Sequence, residues 1–232
     1  MKIMTFNTQH CLNFIKREID FDIMADAIRR CGADIVALNE MRGAGSDPEY
    51  TAQTERLSEL TGLEYFYFAK AIDVEGCGPY GNAILSRFPI ESAETIAIPD
   101  PVEKTGVRMY ETRCILRARI EGGLTVLVTH FGLNPDEQRS AVETVLENLA
   151  DERCVLMGDF NATPDNEVLK PIRERMTDAS DFIEGNTLTF RSDCPDRKID
   201  YVFVTKDVRV LCAEIPEIIA SDHRPHTATI SY

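Results

Sequence analysis

Residues 154–161 read CVLMGDFN, a short apolar run that ends in a glycine, a carboxylate, an aromatic ring and an amide. An apolar run of this length, bounded by turn-forming residues, predicts a buried strand. Asp159 and Asn161 then stand at the end of that strand, at the rim of its sheet. A carboxylate in this position is often only a turn residue or a helix cap, so one such strand end does not establish a site.

The same arrangement recurs along the chain, where one strand after another carries a polar side chain at its end. The segments TFN, ALNE, VTH, IDY and SDHRP contribute Asn7, Glu40, His130, Asp200, Asp222 and His223. The chain has only 4 histidines, so two of them in such segments carry more information than one isolated histidine would. If these rims coincide in the folded chain, they form one polar pocket.

Short runs rich in β-branched and aromatic residues predict strands, and three amphipathic segments predict helices. Strands are expected at 2–6, 34–39, 64–69, 82–86, 114–120, 124–130, 154–159, 199–204, 208–215 and 226–232. Helices are expected at about 18–31, about 51–61 and 135–150. Many strands, few helices and no strict alternation of the two favour an α+β fold, a two-sheet α/β sandwich with helices packed on the outside.

Stretches rich in Gly, Pro, Asp and Ser predict the long loops, at about 41–51, 72–80, 99–109 and 191–198. Loops held by a rigid scaffold are frequent places for substrate recognition. The chain has no internal repeat, low-complexity tract or Pro/Ser-rich linker, so we expect residues 1–232 to form a single domain.

The composition bounds the class of protein. Hydrophobic residues make up 44% and charged residues 28% of the chain, which is typical of a soluble globular protein. A net charge of −14 without a basic run argues against tight, non-specific binding to duplex DNA, which depends on lysines and arginines. The 7 scattered cysteines indicate reduced thiols. The absence of a signal-peptide pattern or a long apolar run predicts a cytoplasmic protein without integral membrane association, and we expect a monomer.

Taken in order, the motifs resemble the endonuclease/exonuclease/phosphatase superfamily, and the resemblance covers almost the whole chain. It rests on TFN, LNE, YGNAILSRFPI, TRCILRARI, LVTHF, GDFN, TFRSDCPDRKIDYVFV and SDHRP. The superfamily includes the deoxyribonuclease, abasic-site endonuclease and sphingomyelinase branches, and the chain is similar to its small bacterial members. The resemblance implies a metal-dependent phosphoesterase.

By this resemblance, Glu40 is the principal metal ligand, and Asn7 and Asp222 complete an oxygen-rich shell directly or through water. Oxygen ligands without cysteine favour Mg²⁺, with Mn²⁺ as a substitute. The sequence has LNE where Gln-Glu is commoner in the family, so the metal-binding glutamate is kept while its neighbour is altered. We therefore expect the metal to be retained and the surroundings of the glutamate to differ.

The resemblance also assigns the catalytic roles. His223 contacts the scissile phosphate, and Asp200 orients its imidazole and raises its basicity. Asp159 holds or deprotonates the attacking water, and Asn161 supports the developing charge by hydrogen bonding. His130 either donates a hydrogen bond to phosphate or protonates the leaving group. The sequence leaves open which histidine is the acid and which is the base.

Two further residues have two interpretations each. Asn82 in YGNAILSR binds phosphate or is simply part of a turn. Arg113 in ETRC supplies positive charge to the same phosphate or forms an ion pair with Glu111.

The sequence therefore favours an Mg²⁺-dependent hydrolase of phosphate esters, a phosphodiesterase or phosphatase that acts on a small or specific substrate. The alternative is a nuclease or DNA-end-processing phosphodiesterase. A third possibility is an inactive binding module that has kept only the fold. The full set of motif residues argues against the third possibility, and the acidic composition argues against a general nuclease.

Overall fold

Alternate side chains of the strand Ile35–Arg42 are buried on opposite faces in the computed structural model, which describes residues 1–232. Ile35 and Ala37 belong to a cluster that lies between two sheets. Val36 and Leu38 belong to a second cluster beneath helices. A strand that is buried on both faces lies in an inner layer, which is the arrangement expected of a sandwich with helices on the outside.

The first sheet contains six strands in the order β11-β12-β1-β2-β4-β3. Strands β1 and β2 are parallel, and the other neighbouring pairs are antiparallel. The bounds of the six strands are β1 Lys2–Asn7, β2 Ile35–Arg42, β3 Tyr65–Val74, β4 Gly78–Ser86, β11 Arg209–Glu214 and β12 His226–Ser231.

The second sheet also contains six strands, in the order β5-β6-β7-β8-β10-β9. Here β7 and β8 are parallel, and the other neighbouring pairs are antiparallel. The bounds of the six strands are β5 Ile90–Ala97, β6 Cys114–Ile120, β7 Leu124–His130, β8 Cys154–Asp159, β9 Met176–Asp178 and β10 Asp200–Thr205.

Helices cover the outer faces of the two sheets, which confirms the predicted fold class. Side chains of α1 and α2 pack on the first sheet, and side chains of α3 and α4 pack on the second. No helix combines the length and the apolar character needed to cross a membrane. The bounds of the helices are α1 Phe21–Cys31, α2 Gln53–Thr61, α3 Pro135–Asn148 and α4 Lys170–Arg175.

Capping groups explain where the helices begin and end. The helix expected from about residue 18 begins only at Phe21, because the Asp20 carboxylate accepts a hydrogen bond of 3.1 Å from the Ile23 backbone nitrogen. The helix α2 ends before Gly62, as predicted, and this glycine has the left-handed φ of +72° that suits a helix C-terminus. The helix α3 begins at Pro135, also as predicted.

Some elements escaped the sequence-based prediction. Residues 72–80, predicted as a loop, form the turn end of the hairpin between β3 and β4, in which Val74 pairs with Gly78. The strand β5 was missed because it is an edge strand with largely exposed residues, among them Glu91 and Glu94, and β9 because it has only 3 residues. The helix α4 has only 6 residues, too few to show a helical period.

Candidate active site

Strand pairing places the predicted site residues beside one another. In the second sheet, Asp159 at the end of β8 pairs with His130 on its β7 side and with Asp200 on its β10 side. In the first sheet, Asn7 at the end of β1 pairs with Asn39 on β2. The polar strand ends therefore do meet, at one edge of the sandwich.

The glycine of GDFN allows the close approach between β7 and β8. Gly158 has a φ of +149°, and a Cβ atom built there would lie 1.8 Å from the carbonyl oxygen of Thr129. No other residue fits such a contact without moving one of the strands. Gly158 thus fixes Asp159 next to His130.

Glu40 lies on an irregular segment of β2. The register between β2 and β4 shifts between Leu38 and Met41, and Glu40 has a left-handed φ of +60°. A bulge turns a side chain away from the regular alternation, and a non-glycine residue with positive φ is held there only by its surroundings. The Oε1 atom of Glu40 accepts a hydrogen bond of 3.0 Å from the Asn7 amide, so the bulge directs this carboxylate to the site.

Asn39, the residue that departs from the Gln-Glu pattern, joins the two sheets. Its Nδ2 donates to Asn82 Oδ1 at 2.8 Å and to the carbonyl oxygen of Thr129 at 2.9 Å. Its Oδ1 accepts from the backbone nitrogen of Asp159 at 3.0 Å. Sequence reasoning missed this role, although an amide within the apolar run IVAL is a signal that buried hydrogen bonds are needed.

The nitrogen of the Asn82 side-chain amide is also used within the structure. Its Nδ2 donates to the carbonyl oxygen of Cys114 at 3.0 Å, and the residue is 2% exposed. Asn82 therefore bridges strands beneath the site and does not reach the cavity lining. Both polar atoms of the Asn82 amide are thus engaged within the protein, and phosphate binding by this residue stays a prediction.

His223 is held between two carboxylates. Its Nδ1 lies 2.8 Å from Asp200 Oδ2, and its Nε2 lies 3.6 Å from Asp159 Oδ2. Burial opposes the charge on the ring, but the charges of Asp200 and Asp159 outweigh it and raise the pKa of His223 to about 10. The imidazole is thus a cation at neutral pH, which agrees with the direction expected for the Asp200 and His223 pair.

Asp159 occupies the centre of the site. Its Oδ2 accepts a hydrogen bond of 3.1 Å from the Asn7 amide, and its Oδ1 accepts one of 2.9 Å from the Asn161 backbone nitrogen. Burial raises the pKa of Asp159 to about 7, against the attraction of the charged His223 ring. A carboxylate with such a pKa can exchange a proton near neutral pH.

His130 and Arg113 form the other side of the site. Arg113 Nη1 lies 2.9 Å from His130 Nδ1, and the Asn161 amide nitrogen lies 3.2 Å from Nε2, so a hydrogen-bond donor faces each nitrogen of the ring. Burial lowers the pKa of His130 well below its usual value, and the charges of Arg113 and His223 lower it further. Arg113 also pairs with Glu111 at 2.7 Å, so the ion pair and the position at the site are both present.

The positively charged side chains at the site offset only part of the negative charge of its carboxylates. Burial raises the pKa of Glu40, and the charge of Asp222 raises it further. A second buried group, whose ligand atoms lie within 4.8 Å of one another, contains Asp159, Asp200 and His223 and could also hold a metal ion. The donors are carboxylate, amide and imidazole groups without a thiolate, and this set fits a hard divalent cation.

These groups surround a cavity of about 570 Å³. Asn7 and Asp200 lie directly behind it and are fully buried, whereas the other predicted catalytic and metal-binding residues belong to its lining. The sequence did not predict several further lining residues, namely Tyr80, Arg108, Met109, Leu133, Phe190 and Arg197. Phe190 and Arg197 could have been noticed, because they lie within the quoted segment TFRSDCPDRKIDYVFV.

Two mixed sheets, outer helices and a cluster of carboxylates and imidazoles at one rim define the α/β sandwich of the endonuclease/exonuclease/phosphatase fold. The sequence pattern of the Endonuclease/Exonuclease/phosphatase family matches residues 4–223. The chain belongs to this family, whose members are generally hydrolases of phosphoesters and typically depend on divalent metals.

The chain is also similar to known proteins and to solved structures with the same fold. The protein YbhP of Escherichia coli K12 is 31% identical over 173 residues, which cover 69% of this chain and 66% of that protein's length. An endonuclease/exonuclease/phosphatase structure from Beutenbergia cavernae has a TM-score of 0.83 at 23% identity and covers 99% of this chain and 71% of its own. The mannosyl-6-phosphatase Bt3783 of Bacteroides thetaiotaomicron has a TM-score of 0.76 at 13% identity and covers 100% of both chains.

Proposed function

We propose that the chain is an Mg²⁺-dependent hydrolase of phosphate esters that acts on a small or specific substrate, with Mn²⁺ able to replace Mg²⁺. The observation that carries the proposal is the buried row formed by Asp200, His223 and Asp159, which lies beside Glu40 and Asp222 in one cavity. Hydrolysis of a phosphate ester needs a cation, a proton donor and a base within reach of one phosphorus atom. This cavity offers all three.

Glu40, Asn7 and Asp222 would hold the metal ion. When bound, the ion polarises a phosphoryl oxygen and offsets the negative charge that builds up in the transition state. Glu40 is directed towards this position by its bulge and by the Asn7 amide. Asp222 lies in the same cavity, and its Oδ1 accepts a hydrogen bond of 3.0 Å from the Ser221 hydroxyl.

The charged His223 ring donates a hydrogen bond from Nε2 to a phosphate oxygen. Asp200 fixes the ring by accepting from Nδ1, so that Nε2 points towards the cavity. Asp159, with its raised pKa, holds the attacking water and takes a proton from it. These roles fit the distances, since His223 and Asp159 approach each other to 3.6 Å.

The charged His223 ring supplies the proton to the leaving oxygen, because burial keeps the His130 ring neutral and His130 then only contacts the phosphate. The Nε2 atom of His130 lies 3.6 Å from Asp159 Oδ2. Asn161 has its amide nitrogen 3.2 Å from the same Nε2 and helps to surround the phosphate. Arg113 holds the ring by its contact with Nδ1 and adds a positive charge at the edge of the cavity.

A nuclease or DNA-end-processing activity is the second candidate, and the negative net charge of the chain argues against it. The net charge of −14 opposes the approach of a polyanion, and only a specific end or lesion would bring one phosphate to the cavity. The inactive binding module is the weakest candidate, because strand registers bring the acid and imidazole groups into reacting distance.

We further propose that residues 1–232 form one domain, which acts as a monomer in the cytoplasm. One cluster of 21 buried hydrophobic residues unites the two sheets. All 7 cysteines are free, and Cys194 and Cys212 are exposed, which suits a reducing compartment. Analytical ultracentrifugation showing a stable dimer at micromolar concentration would contradict the monomer.

A panel of phosphate esters assayed with Mg²⁺ and with Mn²⁺ tests the proposed activity. The panel contains bis-p-nitrophenyl phosphate, sugar phosphates, inositol phosphates, sphingomyelin and DNA with an abasic site. The Glu40→Gln variant should lose the activity found, whereas the exposed Glu64→Gln variant serves as the control and should keep it. An absence of hydrolysis across the panel, or equal activity in Glu40→Gln, would contradict the proposal.

A further inference from the structure

The cavity is much larger than one phosphoryl group. Its volume of about 570 Å³ lies within the range of about 300–1,000 Å³ that is typical of pockets for whole small molecules. The groups suited to phosphate and metal, among them Glu40, Asp159 and His223, come from the strands β2 and β8 and from the segment before β12. The remaining space borders loop residues, so these determine what else the cavity accepts.

Two apolar side chains line the cavity and remain open to water. Met109 is 77% exposed and Leu133 is 41% exposed. Large apolar side chains in such positions gain free energy when a ligand covers them. Their place in the lining of the candidate site points to the substrate of this cavity as the molecule that covers them.

The segments that carry these two side chains are held by long-range hydrogen bonds. The Arg108 backbone nitrogen donates to Asn134 Oδ1 at 2.9 Å, and Asn134 Nδ2 donates back to the Arg108 carbonyl oxygen at 3.2 Å. Because Met109 follows Arg108 and Leu133 precedes Asn134, this two-bond clamp keeps both side chains in one part of the lining. We call Met109 and Leu133 the apolar wall.

A second anchor lies next to the clamp. The Tyr110 hydroxyl donates to Asp136 Oδ2 at 2.6 Å, and it accepts from the Gly106 backbone nitrogen at 2.6 Å. The loop is thus attached to the first turn of α3, close to the candidate site. An apolar wall on an anchored segment is a built part of the cavity, and its residues are positioned before a ligand arrives.

We propose that the substrate carries an apolar group, alkyl or aryl, on the alcohol side of its phosphate ester, and that Met109 and Leu133 determine this specificity by covering that group. The proposal rests on the proposed phosphoesterase function for the place of the phosphate. It extends that function by naming the chemical class of the organic part. Esters of polyols without an apolar group would leave the wall exposed to water and should bind less tightly.

Binding of methyl, butyl and octyl phosphate, measured by calorimetry with Mg²⁺ present, tests the proposal without requiring turnover. Since burial of one methylene group contributes about 0.8 kcal/mol, affinity should rise by about tenfold or more from methyl to butyl phosphate. The double variant Met109→Ser with Leu133→Ser should bind methyl phosphate like the parent and show less than about a threefold gain for butyl phosphate. The exposed Leu211→Ser variant, whose side chain lies outside the lining, should behave like the parent.

Affinity that is independent of chain length in the parent, or a full gain in the double variant, would overturn the proposal. Failure of the proposed function is a separate result, namely chain-length-dependent binding of all three ligands without hydrolysis of any ester. Both a soluble phosphate ester and a phospholipid can carry the proposed apolar group. Sedimentation of the protein with vesicles that contain phosphatidic acid distinguishes these two sources. Sedimentation that the double variant abolishes assigns a lipid source, and retained butyl phosphate binding without sedimentation assigns a soluble ester.

Discussion

The side-chain oxygen of Asn39 accepts a hydrogen bond from the backbone nitrogen of Asp159 at 3.0 Å, and this bond ties the strand that carries Glu40 to the strand that carries Asp159. The same amide donates to the Thr129 carbonyl oxygen, one residue before His130. Asn39 thus sets the spacing between the proposed metal ligand on one sheet and the proposed proton-transfer groups on the other. Its short side chain is matched by Asn82, which accepts the second hydrogen bond of Nδ2.

Substitution of Asn39 should weaken both the fold and the site. Asn39→Ala removes three buried hydrogen bonds, to the Asp159 nitrogen, the Thr129 oxygen and the Asn82 oxygen, and each contributes about 0.5–1.5 kcal/mol. We expect a lower midpoint of thermal unfolding together with a lower kcat measured well below that midpoint. A variant with an unchanged midpoint and unchanged kcat would show that the amide bridge is dispensable.

The pair formed by Asp200 and His223 should act as one unit in catalysis. Asp200→Asn or His223→Ala should lower kcat by a factor of about 100 or more, and the double variant should lose little beyond the worse single variant. Both residues are buried, so each variant also loses stability, and rates must be compared at a temperature where all of them are folded. Losses that simply multiply in the double variant would contradict the shared role.

Gly158→Ala should lower the free energy of unfolding far more than the same substitution at a glycine whose added Cβ atom would meet no other atom. The new Cβ would lie 1.8 Å from the Thr129 carbonyl oxygen and force β7 and β8 apart. Gly32, with a φ of +63° and nothing within 4 Å, provides the control. Gly32→Ala should cost about 1–2 kcal/mol through its left-handed backbone alone. Urea unfolding curves measure the free energy of unfolding of both variants. A similar decrease in the two variants would contradict the steric explanation.

Undamaged duplex DNA should bind weakly at physiological salt. The net charge of −14 repels the phosphate backbone, and the cavity arginines are too few to replace many counterions. A gel-shift titration over a range of salt concentrations measures this. A tight complex whose affinity falls steeply with salt would contradict the proposed preference for a small or specific substrate and favour the nuclease alternative.

The sequence was most informative for site residues that lie at the ends of strands. Asp159 and His130 could be predicted to meet because parallel neighbouring strands end at the same edge of a sheet, and the register pairs them. Their surroundings were not predictable in the same way. Asn7 and Asp200 are fully buried behind the cavity and not on an open rim, because the two sheets close over them.

Residues whose role depends on distant partners could not be predicted from local patterns. Asn39 was noticed only as a departure from a motif, and Asn82 only as a phosphate ligand or a turn residue, because their mutual hydrogen bond joins residues 43 positions apart. Met109 and Leu133 are brought together by a clamp between residues 26 positions apart. Such contacts are set by the packing of the whole fold, and they decide the shape of the cavity.

The central claim is that a metal ion held by Glu40 and its neighbours is required for hydrolysis of a phosphate ester. The most direct measurement is the rate of hydrolysis of the best substrate from the panel before chelation, in EDTA, and after addition of Mg²⁺ or Mn²⁺. We predict that activity disappears in EDTA, returns with either ion in the parent protein, and does not return in Glu40→Gln at the same metal concentration. Full activity after exhaustive chelation would contradict the account.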